Sequence, residues 1–152
     1  MTVIPEFLKE LKRKNDLVLV MGARVQLLGR IIARNKIRHY LGRVFATLAS
    51  IVLKLPVYDT QCGAKLFVTT EAIAFAFNAP FISRWIFDVE LIARLVFKSR
   101  VNAFKSICEF PLEEWHDVKG SKIRLADFWI AICDLGRIYY LYTLQSNHEL
   151  MT

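Results

Sequence analysis

A chain of 152 residues suits one domain, and a domain of that size buries about two thirds of the surface its unfolded form exposes. With 55% hydrophobic and 23% charged residues, six Gly and four Pro, the composition excludes a disordered or low-complexity linker. A formal charge of +7 and a pI near 9.5 favour anionic partners, but the basic residues are scattered and carry no zinc-finger, RNP-like or arginine-rich pattern, which argues against nucleic acid.

In chain order, residues 5–14 (PEFLKELKRK) predict a short amphipathic helix, with Pro at its start and Phe7, Leu8 and Leu11 on one face. LVLV at 17–20 reads as a buried strand that runs into a loop at Met21 and Gly22. Over 34–54 the apolar residues Ile37, Leu41, Val44, Phe45, Leu48, Ile51 and Val52 recur at helical spacing, and Pro56 closes the run. AKLFVTT at 64–70 predicts a strand, after which Thr70 caps a short helix over 71–77. A helix over 86–98 opens with Asp88 and Glu90 in its first turn, where the helix dipole favours acids. VNAFKSICEFPL predicts one or two strands, a loop covers 113–122, and a last helix runs from about 123 to 145.

Helices alternating with strands indicate an α/β layer structure in a single domain over 1–152. Two apolar stretches, 40–58 and 125–142, are cut by Arg43, Lys54 and Pro56 and by Asp127, Asp134 and Arg137, so both read as helices buried on one side rather than as spans. The run Tyr139, Tyr140, Tyr142 suits a membrane interface. The N-terminus lacks an apolar stretch with a cleavage site. Cys62, Cys108 and Cys133 match neither a disulfide framework nor a CxxC metal site, which places the chain in a reducing cytoplasm.

Four ordered segments carry a more specific signal: MGARVQLLGR (21–30), YDTQCGAKLF (58–67), SRWIFDVELIARL (83–95) and GSK (120–122). In this order and spacing they resemble the second half of a family 2 glycosyltransferase, of the polyprenyl or dolichyl phosphate sugar transferase type, over nearly the whole chain. The resemblance implies a GT-A, Rossmann-like three-layer fold. It also implies inverting transfer of a hexose, glucose by the closest subgroup, from a nucleotide sugar to a polyprenyl phosphate at the cytoplasmic face of a membrane. Such enzymes hold a divalent cation, Mg or Mn, on the donor diphosphate through an Asp-x-Asp in an N-terminal nucleotide-binding half. No Asp-x-Asp occurs in this sequence, so the expectation is a partial GT-A domain lacking that half, with no metal ligands of its own. The rival reading is a non-catalytic relic or accessory subunit that binds a membrane surface or a partner chain.

A phosphate monoester acceptor, with a second pKa of about 6, is already a nucleophile at neutral pH and needs cations to hold it in line more than it needs a base. Arg24, Lys65, Arg84 and Lys122 are the candidate cations, each close to a Gly or Ser, with Ser121 beside Lys122. Each reads equally well as a solvated surface charge. Where the family has Gly-Ser-Arg, this chain has Gly-Ala-Arg, keeping the cation of Arg24 and losing the hydroxyl. Asp88 is the candidate catalytic acid by resemblance. Toward a phosphate acceptor it would orient and balance charge, and otherwise it stabilises its own helix. Asp59 and Thr60 precede the tight-turn pair Cys62-Gly63, so Asp59 either caps that turn or faces the sugar or acceptor phosphate with Lys65 opposite. Cys62 reads as a small buried residue, and His39, His116 and His148 show no metal-ligand spacing. Trp85 and Trp115 suit packing at the core or rim. A half-domain would leave the strand at 17–20 without a neighbour, favouring a homo-oligomer.

Overall fold

The computed structural model describes residues 3–33, 36–116 and 125–144. In chain order it contains α1 (Ile4–Arg13), β1 (Leu19–Ala23), β2 (Ile31–Ala33), α2 (Lys36–Leu53), β3 (Lys65–Phe67), α3 (Glu71–Phe77) and α4 (Phe87–Ala93). There follow α5 (Ala103–Ser106), β4 (Ile107–Pro111), β5 (Glu114–His116) and α6 (Leu125–Ile138). Both α4 and α6 continue as wider π-helical turns, over Arg94–Lys98 and Tyr139–Leu144.

β1 lies at the centre of a three-stranded mixed sheet, antiparallel to β3 and parallel to β4. Its two faces feed two cores. Leu19 and Met21 point to the larger one, with Phe45, Ala49 and Leu53 of α2, Val89 and Ile92 of α4, and Leu135 and Ile138 of α6. Val20 points to the smaller one, where Phe7 of α1 packs with Leu17, Cys62 and Leu112. The alternation of side chains along a strand therefore yields three layers, α1 on one face and the α2, α4 and α6 group on the other. A separate pair, β2 and β5, runs parallel at the end of the sheet.

Several expectations hold at the residue level. Thr70 Oγ1 accepts the N–H of Ile73 and caps α3, and α1 begins with Pro in its first turn. α2 ends in a six-to-one hydrogen bond from Leu55 N–H to Ser50 O, with Lys54 left-handed at φ 54°.

Others need correction. The first strand covers 19–23 rather than 17–20, because Gly22 stays in the strand: a Cβ there would stand 3.0 Å from Leu112 Cδ2 and 3.1 Å from Cys62 Sγ. β1 has a neighbour on each side, so the open edges belong to β3 and β4 and not to it. Residues 103–106, expected as strand, form the single turn α5, and the expected loop after residue 112 contains β5. The helix expected over 86–98 is α-helical only to Ala93.

Candidate functional site

The register of the sheet assembles the site. Lys65 on β3 and Glu109 on β4 both align with Met21 of β1, so all three side chains stand on one face of the sheet, toward α4. Arg24 follows the last residue of β1, and Asp59 and Thr60 sit in the connection from α2 to β3. Asp88 is the second residue of α4.

Asp59 is buried and takes a bidentate grip from Arg24: Nε donates to Oδ2 at 2.6 Å and Nη2 to Oδ1 at 2.7 Å. The Arg24 backbone N–H adds a third bond to Oδ2 at 3.1 Å. Such fork-to-carboxylate pairs are short and directional. The Arg24 guanidinium also lies 5.2 Å from the centre of the Trp115 ring, which places that tryptophan beside the site as a packing surface for a cation. Lys65 Nζ pairs with Asp88 Oδ1 at 2.9 Å, with both side chains largely buried, and donates to Cys62 O. Asp59 therefore faces Arg24, and its expected partner Lys65 belongs to Asp88.

Burial pushes the Asp88 carboxyl above the usual range, outweighing the pull of Lys65 in the other direction. Burial also raises the Cys62 thiol, which leaves it protonated and inert at neutral pH.

Two residues that sequence reasoning did not single out complete the arrangement. Glu109 accepts the Tyr58 N–H at 2.9 Å and the Asp59 N–H at 2.8 Å, and so fixes the turn that aims Asp59 at Arg24. Burial raises its carboxyl too, against the lowering effect of these two N–H donors. Arg43 of α2 stacks on the Tyr58 ring at 3.8 Å and donates to Tyr58 O at 3.3 Å. A recess lies between Arg24, His39, Arg43, Tyr58 and Thr60. Two buried polar atoms there, His39 Nδ1 and Thr60 Oγ1, have no hydrogen-bond partner among the described residues. Buried polar groups are ordinarily satisfied, so the two open atoms single out this recess within the cluster as the candidate binding position.

Arg84 stands apart: it is exposed in the loop before α4 and joins no ion pair among the described residues. Ser121 and Lys122 of the GSK segment lie outside the described residues. The carboxylates of the cluster do not suit a divalent cation, since Asp59 is saturated by Arg24, Asp88 is held by Lys65 and Glu109 by two amides. Among the described residues no three acids, histidines or cysteines converge on a metal position.

A dolichyl-phosphate β-glucosyltransferase of Trichomonas vaginalis is 34% identical over 145 residues, covering 90% of this chain and 41% of that protein. The Saccharomyces cerevisiae dolichyl-phosphate β-glucosyltransferase is 38% identical over 108 residues, 70% of this chain and 30% of its own length. The human protein of the same name is 36% identical over 117 residues, 76% and 33%. The chain is a dolichyl-phosphate glucosyltransferase-like member of the GT-A glycosyltransferases. It spans about two fifths or less of the length of these relatives. No family model matches it, and no solved structure matches it significantly. The mixed α/β fold with a small sheet agrees with a partial GT-A domain. No helix among the described residues is long and apolar enough to cross a membrane.

Proposed function

We propose that this chain supplies the acceptor side of a glycosyltransferase that moves glucose from a nucleotide sugar onto a polyprenyl phosphate at the cytoplasmic face of a membrane. The observation that carries the reading is the recess between Arg24 and Arg43, where Thr60 Oγ1 and His39 Nδ1 stand without partners among the described residues. A phosphate monoester supplies acceptor oxygens for the Thr60 hydroxyl and negative charge opposite Arg43, the guanidinium of the recess that Asp59 does not neutralise. The names of the relatives supply the chemical class of donor and acceptor.

In the reaction, a phosphate oxygen attacks the anomeric carbon as the bond from that carbon to the diphosphate breaks, and the nucleoside diphosphate leaves with the electron pair. The phosphate dianion needs no proton removed, so the task of this chain is orientation and charge balance. Arg24, locked by Asp59 and resting on Trp115, presents a fixed cation. Asp88, already neutralised by Lys65, sets the field at the edge of the site rather than serving as a base toward the phosphate. The divalent cation that GT-A enzymes place on the donor diphosphate finds no fitting ligands among the described residues, and no step of this account passes through it. Nucleotide and metal are assigned to the part of these relatives' length that the chain does not span.

The test has two arms. The isolated chain, given nucleotide sugar and polyprenyl phosphate, should show little or no turnover, and joining it to a nucleotide-binding half should restore transfer. Robust turnover by the chain alone overturns the division of labour. Separately, a short-chain prenyl phosphate should bind the isolated chain, and Arg43→Ala should weaken that binding about tenfold, as expected for loss of one charge-assisted contact. Equal binding by the variant removes the recess from the reading. Prenyl phosphate binding with no turnover even after joining would decide for a non-catalytic relic instead.

A further inference from the structure

Leu19 and Met21 of β1 align with Ile107 and Glu109 of β4, so the four side chains share one face of the sheet. Helix packing covers Leu19 and Met21 completely, but β4 is an edge strand, and Ile107 and Glu109 are only half-buried. Beside them lies a space of about 200 Å3, lined also by Leu55 and Val57 after α2 and by Phe104 of α5. Phe104 is 75% exposed, so the space opens to solvent on that side.

Glu109 is the one charged group among the described residues of this apolar lining. Carboxylates drawn out of water are ordinarily paired, and Glu109 makes no ion pair among the described residues. Lys54 and Lys105, next in sequence to lining residues, are exposed and form none with it. Arg43, whose charge acts on Glu109, is committed to the Tyr58 ring and carbonyl.

Its hydrogen-bonding capacity is not used up either. Oε1 accepts the N–H groups of Tyr58 and Asp59, Oε2 only shares that of Tyr58, and a carboxylate offers about four acceptor positions. What stays open is a single oxygen. A guanidinium fork needs both oxygens, whereas an ammonium needs one. A hard divalent cation needs several, and no three acids, histidines or cysteines converge among the described residues.

We propose that the space beside β4 binds a small primary amine carried on an apolar ring or short chain, its ammonium on Glu109 Oε2 and its apolar body against Leu55, Val57, Phe104 and Ile107. Drug-sized pockets measure about 300–1,000 Å3, so this smaller one takes a single ring or a few carbons. The site shares no lining residue with the recess and stands whether or not the chain binds a prenyl phosphate.

Titration of the purified chain with 2-phenylethylammonium, by calorimetry or ligand-observed NMR, tests the site against two probes built on the same ring, 2-phenylethanol and phenylacetate. The ammonium should bind about tenfold or more tighter than the alcohol, as expected for one charge-assisted contact, and phenylacetate should not bind. Glu109→Gln keeps an oxygen for the two amides and should bring the ammonium to the level of the alcohol. Circular dichroism checks that the variant folds. If it does not, Phe104→Ala, at an exposed wall, should weaken ammonium and alcohol alike several-fold. Glu113→Gln removes an exposed acid from a different cavity, beside the start of α1, and should leave binding intact. No binding of the ammonium, equal binding of ammonium and alcohol, undiminished binding by a folded Glu109→Gln or by Phe104→Ala, or a loss in Glu113→Gln would each overturn the assignment.

Discussion

Asp88 and Glu90 stand two residues apart on α4, both buried and both paired with a cation, yet they belong to different kinds of structure. Glu90 is saturated: Oε1 accepts from Arg94 Nη2 at 2.7 Å and Tyr142 O–H at 2.9 Å, while Oε2 accepts the N–H groups of Ile82 and Ser83. Arg94 in turn donates to the carbonyls of Ala76, Ala79 and Pro80 and covers the Phe81 ring at 4.4 Å. Asp88 has one ion-pair partner and a raised carboxyl pKa, in a cluster that leaves Thr60 open. The first network closes the loop 76–83 onto the helix and the C-terminal π turn. The second leaves a hydrogen-bonding atom open among buried charges, as the proposed phosphate site requires.

If that division is right, the larger stability loss comes from breaking the first. Arg94→Ala strands a fully buried Glu90 and three carbonyls, and should cost about 3–5 kcal/mol in urea unfolding. Asp88→Asn keeps the shape and removes a charge that burial already disfavours despite Lys65, and should cost less than about 1 kcal/mol. Equal losses would erase the distinction. Asp59→Asn, which breaks the fork to Arg24, falls between the two at about 1–3 kcal/mol, with prenyl phosphate binding weakened as Arg24 loses its fixed orientation.

The two networks also differ in how far they could be read from sequence. Glu90 and Arg94 sit at the helical i, i+4 spacing in IFDVELIARL, but the sequence presents Glu90 as one more first-turn acid. Its role depends on Tyr142, 52 residues away, and on a loop whose backbone carbonyls turn inward. In the site, Arg24, Asp59, Lys65 and Asp88 were all legible as candidates because each stands in a recognisable motif, while the pairing among them was not. The alignment of Lys65 and Glu109 on Met21 is a product of strand register, which three- and five-residue strands do not reveal. Glu109 lay hidden inside an apolar strand pattern. Helix ends with a chemical marker, Pro5 and Thr70, were placed to within a residue. The β2 and β5 pair, three residues each, with Ile31 facing Glu114 far along the chain, left no such marker.

A smaller effect follows from protonation. Asp88 and Glu109 have raised carboxyl pKa values in the folded chain, chiefly through burial. Between the ordinary carboxylate value and the raised one, each binds more protons folded than unfolded, so stability falls as pH rises through that window. The cost is absent below the ordinary value, about 4, and complete above the raised value. Glu109→Gln carries no titrating group and should flatten its share of this decline. Unfolding free energies of variant and native chain across mildly acidic pH provide the check, and a difference that does not change with pH would contradict it.

The smallest expected change has the opposite sign and separates the two regions most sharply. Thr60 is 1% exposed and its hydroxyl has no partner among the described residues. A buried hydroxyl without a hydrogen bond costs free energy in the unliganded protein, and Val matches Thr in shape while removing it. Thr60→Val should therefore stabilise the chain by up to about 1 kcal/mol, and nothing comparable is available in the saturated Glu90 network. If the hydroxyl is held open for a phosphate, the same variant should bind short-chain prenyl phosphate several-fold more weakly. Stabilisation without loss of binding would make Thr60 a packing defect. Loss of both stability and binding would mean that the hydroxyl is satisfied in the free chain. Only a gain in stability together with weaker binding marks an atom whose partner is the ligand.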